Sequence, residues 1–452
     1  MDDLVERLRA LAHDETSIDD MIDGWPVVEE AADEIERLRK DASNGRFVAI
    51  VLGCALLLVA AQAFSAFVDV TAESGLNYTG RSYGSVFCDV DGNGFPDIYA
   101  PNHAFPDDLW LNDGNRFKRV AIAQDTMDTH SPSCVDADVD GDLDVFIPGG
   151  GSAGRTNPPR PNLLLNNQGG RLTDLEGAMG LELPLTRGRA AFWFHRNSDK
   201  WPDVVLLNAK RTAPGYDDYQ NLLMVGSAGG FIRSDAMDPS TTEYAGIVGD
   251  RLLVGSTTFP VWSYDLDSWV GQKPGYPTFT GVRSVVFASD GEYVCGRWGV
   301  IRVNRDLSKT TISKAICWAM AVADFDNDGT LDVWTSTKAR SASVGDYNAD
   351  GYLDIFTTSG EGSTEGIPAS GPNQLWRNTG GTNRYLQFVG LPTGTLVTVN
   401  GRTVNTANVI VGKSQNERIA HFGLGTAVRA RARIEYPDGR VVTRTYASGR
   451  YE

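Results

Sequence analysis

Cysteine and histidine are both scarce, five of each in 452 residues. Five cysteines cannot staple a chain of this length into a disulfide scaffold. With no CxxC pair they spell no zinc motif, and five scattered histidines leave little for a histidine-based metal site. Bases are outnumbered, 41 Lys and Arg against 58 Asp and Glu, for a net charge of -17, and no long Lys/Arg run occurs. Such a chain grips a phosphate backbone poorly, so nucleic acid is not an expected partner. No Arg-Gly-Asp tripeptide occurs, and long helical patterns are missing after Phe67. What is plentiful is glycine, 49 residues mostly in turn-like contexts. Hydrophobic residues make up 41% and aromatics 10%, enough for a core spread over two or three domains.

Residues 1–46 carry 14 acids and 6 bases. Leu4, Leu8 and Leu11 fall on one helical stripe, and Ala31, Ile35 and Leu38 on another. Pro26 suits a first helical turn, and Asp33–Arg37 and Glu36–Lys40 are acid-before-base pairs one turn apart. The expectation is an acidic, helical cytoplasmic segment, either a solvated hairpin or a docking element. Residues 47–67, FVAIVLGCALLLVAAQAFSAF, are uncharged. That length rises about 31 Å as a helix, the depth of a bilayer core. Arg37, Arg39, Lys40 and Arg46 precede it and the next base is Arg81, so the positive-inside rule leaves the N-terminus in the cytoplasm. The expected placement is a single-pass membrane protein with residues 67–452 outside. The alternative is secretion after signal cleavage, because Ala61-Gln62-Ala63 is an A-x-A site.

Beyond Phe67 one acidic template recurs: DVDGNGFPD (89–97), DADVDGDLD (136–144), DFDNDGTLD (324–332) and DYNADGYLD (346–354). Its first, third, fifth and ninth positions are Asp89, Asp91, Asn93 and Asp97; Asp136, Asp138, Asp140 and Asp144; Asp324, Asp326, Asp328 and Asp332; and Asp346, Asn348, Asp350 and Asp354. A hard cation such as Ca²⁺ takes six to eight oxygens, and side chains at odd steps of a tight loop converge on one point. Glycine at position six permits a left-handed turn. The pattern is the first half of an EF-hand loop, with Asp at nine closing it and strands on either side. Together the loops hold 15 carboxylates, which repel one another without a cation. Four Ca²⁺ would bring the formal charge from -17 to -9. Mg²⁺ fits less well because it demands a stricter octahedron. The expected cofactor is therefore structural Ca²⁺, about four ions. A fifth copy, HRNSDKWPD (195–203), places Lys200 where glycine belongs and reads as an ion-free turn.

A second signature follows at similar phase: DLWLNDGNRF (108–117), NLLLNNQGGRL (162–172), NLLMVGSAGGF (221–231) and NQLWRNTGG (373–381). Each reads as a strand, an Asn/Gly turn and a strand. Loop, strand and hairpin make about four strands, the content of one propeller blade. VGDRLLVGS (248–256) and SDGEYVCGRWGVIRV (289–303) supply strands for two blades without metal loops, giving seven. Loop starts 324 and 346 are 22 residues apart, too close for a four-stranded blade, so one blade is either truncated or oddly built. FVDVT (67–71) is a candidate to close the ring on the last blade.

These loops resemble the FG-GAP/VCBS repeats of integrin-α-type β-propellers. FVDVTAESGL, NDGNRF and the D-x-D-x-D-G-x-L-D loops are similar to the cartilage-acidic-protein-like group. Its C-terminal ASPIC/UnbV module is matched by NRYLQFVGL (383–391), RIAHFGLG (418–425) and IEYPDGR (434–440). The resemblance implies an all-β fold: a seven-bladed propeller over 67–382 followed by a small β domain over 383–452. Only PTGT stands before LVTVNGR, shorter than the family pattern, and blades four and five lack the loop.

Other candidates carry less. Gly150–Gly154 matches GxSxG, but a loop follows where a nucleophile elbow needs a helix. His421 reads as a packed motif residue. Cys88, Cys134, Cys295 and Cys317 are either buried thiols or disulfides, with three connectivities open. Asn77-Tyr78-Thr79 is a glycosylation sequon relevant to a eukaryotic secretory route. The reading that unites these features is a non-enzymatic, calcium-binding extracellular scaffold for adhesion, whose partner is a protein or glycan. The alternatives are a propeller enzyme acting on polysaccharide or phosphodiester through a carboxylate pair, and a virion or secretion-machinery surface component.

Overall fold

Short runs of β-branched and aromatic residues between Gly, Asn and Asp turns form strands, with alternate side chains facing opposite ways. The computed structural model describes residues 67–452 except 78, 81, 103–104, 121, 123–127, 151–160, 175–177, 184–185, 210–219, 238–243, 257, 261, 267, 273–276, 361–370 and 412. The leader helices expected over 1–46, and all but the last residue of the 47–67 span, lie outside the described residues. Among the described residues no helix is long and apolar enough to cross a membrane. Phe67 belongs to a strand, Phe67–Asp69, and its ring packs edge-on against Phe325 at 5.2 Å.

Among the described residues seven antiparallel sheets follow one another along the chain. Blade 1 runs through Val86–Cys88, Asp97–Ala100, Asp108–Asn112 and Phe117–Val120. Blade 2 comprises Ser133–Val135, Asp144–Ile147, Leu163–Asn167 and Leu172–Asp174. Blade 3 comprises Gly188–Phe194, Asp203–Asn208, Asn221–Val225 and Ile232–Met237. Blade 4 (Tyr244–Val248, Arg251–Gly255, Trp262–Asp265, Gly271–Gln272) and blade 5 (Val282–Ala288, Gly291–Gly296, Gly299–Val303, Lys309–Ser313) lack the acidic loop. Blade 6 has two strands, Ala319–Ala323 and Asp332–Ser336, which accounts for the short loop interval. Blade 7 takes Ser341–Gly345, Asp354–Thr358 and Gln374–Asn378 from its own stretch. Its fourth strand is Phe67–Asp69, paired Phe67 to Asn378 and Asp69 to Trp376.

The first strands of the blades touch in cyclic order, and blade 7 returns to blade 1. Period-two alternation sends one set of side chains to each neighbouring blade. In blade 1, Phe87, Ile98 and Trp110 join Phe356 and Leu375 of blade 7. Val86, Tyr99 and Leu109 join Val145, Ile147 and Leu163 of blade 2. Each of the seven seams has its own apolar cluster in this way. Two disulfides also tie neighbours, Cys88–Cys134 between blades 1 and 2 and Cys295–Cys317 between blades 5 and 6.

Residues after Asn383 build a separate core around Leu386, Phe388, Val397, Phe422, Ala432 and Ile434. A four-stranded sheet orders Arg402–Asn405, Leu396–Val399, Arg429–Glu435 and Val441–Ala447, and a three-stranded one orders Ala420–Gly425, Arg384–Phe388 and Gly449–Tyr451. Between them a hairpin, Ile410–Val411 with Ser414–Gln415, enters the propeller along its axis. It touches the inner strands of blades 1, 2, 4, 5 and 7, and Gln415 pairs in parallel with Val86. Inner strands present unpaired backbone groups to a channel, and here amide side chains satisfy them. Gln415 accepts the Cys134 N–H at 2.7 Å and donates back to its carbonyl at 3.3 Å. Asn408 does the same to Ile247 at 2.9 and 3.0 Å. Asn416 accepts the Val344 N–H at 2.9 Å.

The seam between first and last blades should be costly to open. Phe356 is fully buried there, 6.4 Å from the Phe87 ring. Phe356→Ala is expected to lower unfolding free energy by about 3–5 kcal/mol, measured as a shift of the urea midpoint.

Candidate metal centres

The four acidic loops share a backbone path. Position six is left-handed in each, Gly94 (φ 89°), Gly141 (103°), Gly329 (98°) and Gly351 (86°). At Gly351 a side chain is also barred by space, because an added Cβ would lie 1.8 Å from the Tyr385 ring. Position four is left-handed too: Gly92 (φ 69°), Val139 (60°), Asn327 (61°) and Ala349 (53°). Asn tolerates that conformation, but Val139 and Ala349 cost about 1–2 kcal/mol each, so two of the loops carry strain that glycine counting misses.

Three loops gather a trio of carboxylates from positions one, three and nine: Asp89, Asp91 and Asp97; Asp136, Asp138 and Asp144; Asp324, Asp326 and Asp332. Within each trio one oxygen per residue lies within 4.8 Å of the others. Among the described residues the fourth loop, with Asp346, Asp350 and Asp354, forms no such trio. Position five turns back on its own loop instead of joining the trios. Asp140 accepts the Asp142 N–H at 2.9 Å, Asp328 the Thr330 N–H at 2.6 Å, and Asn93 the Phe95 N–H at 2.8 Å. Asn348 donates to Asp350 at 2.8 Å.

Burial raises the carboxyls at position nine, with neighbouring aspartates adding to it. Asp97 and Asp144 are each pushed up to about 7 and Asp332 to about 6. Asp138 Oδ1 is buried with no hydrogen-bond partner. A cluster of all-oxygen donors short of compensating charge fits a hard divalent cation.

Position nine also has a structural role. Asp97 accepts the Val90 N–H at 2.8 Å and the Asn112 N–H at 2.7 Å. Asp144 accepts those of Ala137 at 2.9 Å and Asn167 at 2.8 Å, and Asp354 those of Tyr347 at 3.2 Å and Asn378 at 2.8 Å. The asparagine so held reaches the preceding blade. Asn112 donates to the Tyr347 carbonyl at 2.7 Å, Asn167 to Val90 at 2.6 Å, and Asn378 to Phe325 at 2.8 Å. The second sequence signature is thus an inter-blade staple hung from the loop.

The fifth copy, 195–203, keeps the closing clamp. Asp203 accepts the Arg196 N–H at 2.7 Å and the Gly226 N–H at 3.1 Å. It has no left-handed residue at Ser198 or Lys200, and Lys200 lies over the Trp201 ring at 4.7 Å. Of the GxSxG stretch, 151–154 lies outside the described residues.

The C-terminal module sits on this acidic face with opposite charge. Residues 67–382 hold 25 bases and 40 acids, whereas 383–452 hold 10 bases and 4 acids. Three of its arginines address position-one aspartates. Arg402 Nη1 is 3.0 Å from Asp324 Oδ2, Arg450 Nη1 is 3.8 Å from Asp346 Oδ2, and Arg418 acts on Asp136. His421 donates from Nε2 to Asn327 Oδ1 at 2.6 Å and accepts at Nδ1 from Gln387 at 3.0 Å. Burial holds its pKa down at about 3. With both nitrogens engaged, His421 is a packed residue and no general base.

No family model and no curated protein matches the chain. It is similar to BBS1N, solved in complex with ARL6DN, at 8% identity and TM-score 0.44 over 70% of this chain and 97% of that one. It is similar to a structure described as an oxidoreductase (glucose dehydrogenase) of Thermus thermophilus, at 11% identity and TM-score 0.40 over 70% and 99%. It is also similar to the extracellular domain of a B. thetaiotaomicron protein described as a hybrid two-component system. There the identity is 11% and the TM-score 0.43, over 84% of this chain and 53% of that one. At these scores the assignment of the ring rests on its own strand order. The FG-GAP/VCBS and ASPIC/UnbV resemblance rests on the loop and tail motifs.

The raised carboxyls set a pH dependence. Without a cation, protonated Asp97 and Asp144 favour the fold below the ordinary pKa of 3.8, and that contribution is lost as pH rises toward 7. In chelator the melting temperature should fall between pH 5 and 7.5. A saturating divalent cation should shrink the fall, because the ion replaces the protons.

Proposed function

We propose that this chain is a calcium-stabilised binding scaffold, held outside the cytoplasm, that engages a protein or glycan without transforming it. The observation that carries the reading is the trio of converging carboxylates repeated in loops of blades 1, 2 and 6. Ca²⁺ suits these oxygen donors on flexible turns, and millimolar extracellular Ca²⁺ would fill even weak sites. The two disulfides favour an oxidising compartment. A single-pass anchor over 47–67, or secretion after cleavage near Ala63, would each deliver residues 67–452 there. The non-catalytic part of the reading draws support from the axis, where a propeller enzyme would keep its cleft. The 410–415 hairpin takes up part of that position, against the inner strands of blades 1, 2, 4, 5 and 7, and a cavity lined by Val322, Asp324, Asn408, Glu417 and His421 remains beside it; Glu417 is hydrogen-bonded to the Asp346 N–H at 2.9 Å and lies 3.5 Å from Arg450.

Calcium bound only to the folded state stabilises by about 2.7 kcal/mol at a hundredfold excess over Kd. Thermal melts should therefore move up by several degrees in CaCl₂ relative to EDTA. Asp138→Asn should reduce the shift, and the EDTA melt should rise slightly because one of the mutually repelling charges is gone. Identical melts with and without Ca²⁺ would overturn the proposal.

A further inference from the structure

The fourth acidic loop differs from the other three in what surrounds its first carboxylate. We infer that loop 346–354 is the socket of Arg450, a clasp between propeller and C-terminal module, and not a fourth calcium site. The inference rests on the calcium reading for the other three loops. Asp346 is fully buried. Its Oδ2 faces Arg450 Nη1 at 3.8 Å and accepts from Gln387 Nε2 at 3.0 Å and from the Gly351 N–H at 3.0 Å. Its Oδ1 accepts the Asp350 N–H at 3.0 Å. The two loop N–H contacts recur at Asp89, which accepts from Asn93 at 3.0 Å and Gly94 at 2.9 Å, so what sets Asp346 apart is the side-chain pair Gln387 and Arg450, donors placed where a cation needs further acceptors.

The Gln387 orientation is fixed by its neighbours. The same Nε2 also donates to His421 Nδ1, whose Nε2 is committed to Asn327. A flipped amide would set Oε1 against the Asp346 carboxylate. The third ligand position agrees. Here it is Asn348, whose amide donates to Asp350 at 2.8 Å, whereas the other three loops carry Asp91, Asp138 and Asp326.

Loop 324–332 provides the contrast. Arg402 touches Asp324 at 3.0 Å, yet Asp324, Asp326 and Asp332 still form a trio. An arginine at position one is thus compatible with a carboxylate trio; in loop 346–354 position three is Asn348, while Asp354 still feels the charges of Asp346 and Asp350. Arg450 also donates to the Gly94 carbonyl of the first loop at 3.0 Å and lies 3.5 Å from Glu417 Oε1. One guanidinium thus joins blade 1, blade 7 and the base of the axial hairpin. It sits two residues from the end of the sequence, on the strand Gly449–Tyr451 that pairs in parallel with Arg384–Phe388.

Calorimetric Ca²⁺ titration of the full chain tests the assignment. Three ions are expected, and Asp346→Asn should leave the count unchanged. Four ions in the wild type, or one fewer in Asp346→Asn, would overturn it. Hydrogen exchange reads the clasp independently of metal. Arg450→Gln should speed exchange of the 406–418 amides roughly tenfold, and unchanged exchange would overturn the clasp. No calcium uptake at all would sink the calcium reading instead, with the exchange result in Arg450→Gln still deciding the clasp.

Discussion

A buried aspartate that takes two backbone N–H groups is the contact on which this propeller turns. At position nine of each loop in blades 1, 2 and 7 the carboxylate fixes both the loop and an asparagine at the end of the third strand. The asparagine then bonds the blade before it. Loop closure and blade spacing are therefore one event. In blade 3 Asp203 closes its loop in the same way, but its partner at the end of the third strand is Gly226, which has no side chain to reach the neighbouring blade. In blade 6 the third strand is missing and no asparagine is available, and Asp332 keeps the Phe325 N–H at 3.0 Å.

Charge organises the second layer. The propeller concentrates carboxylates on one face, and the C-terminal module brings arginines to it. Three negative charges would be balanced by one divalent ion together with one guanidinium. Arg418 and Arg402 are placed for this at the loops of blades 2 and 6. At blade 7 the balance tips toward protein donors. The axial hairpin adds a different chemistry, in which neutral amides meet the peptide groups of inner strands and remove the cost of leaving them bare. Acid clusters and amide pairs thus hold the same module by separate means.

Much of this is legible in the residues, and the reason is range. Cation-binding spacing is a property of nine consecutive positions, so the acidic loops can be read directly. The strands of blades 4 and 5, at 248–256 and 289–303, show through alternation alone, and the truncated blade follows from the interval between loops. Contacts that depend on remote partners are out of reach. Nothing local to Arg402, Arg418 or Arg450 says which aspartate each will meet. Nothing in Gln415 announces that it will bond Cys134, 281 residues away. The cysteine pairing stays open in the sequence for the same reason. Spacing alone makes Asp346 one of four equivalent sites, because Gln387 and Arg450 lie far along the chain. Left-handed Val139 and Ala349 are hidden because neither residue type advertises that conformation.

The axial hairpin has a consequence for the order of assembly. Its socket is made of strands from five blades, and Ser414 meets Ser85 across 329 residues of chain. Such a cavity exists only after the circle has shut, and contacts so distant in sequence form slowly. During synthesis the hairpin emerges after every strand that receives it. The ribosome therefore delivers the bolt after its housing, and a chain rearranged to present it first would have to hold it exposed until the ring was built.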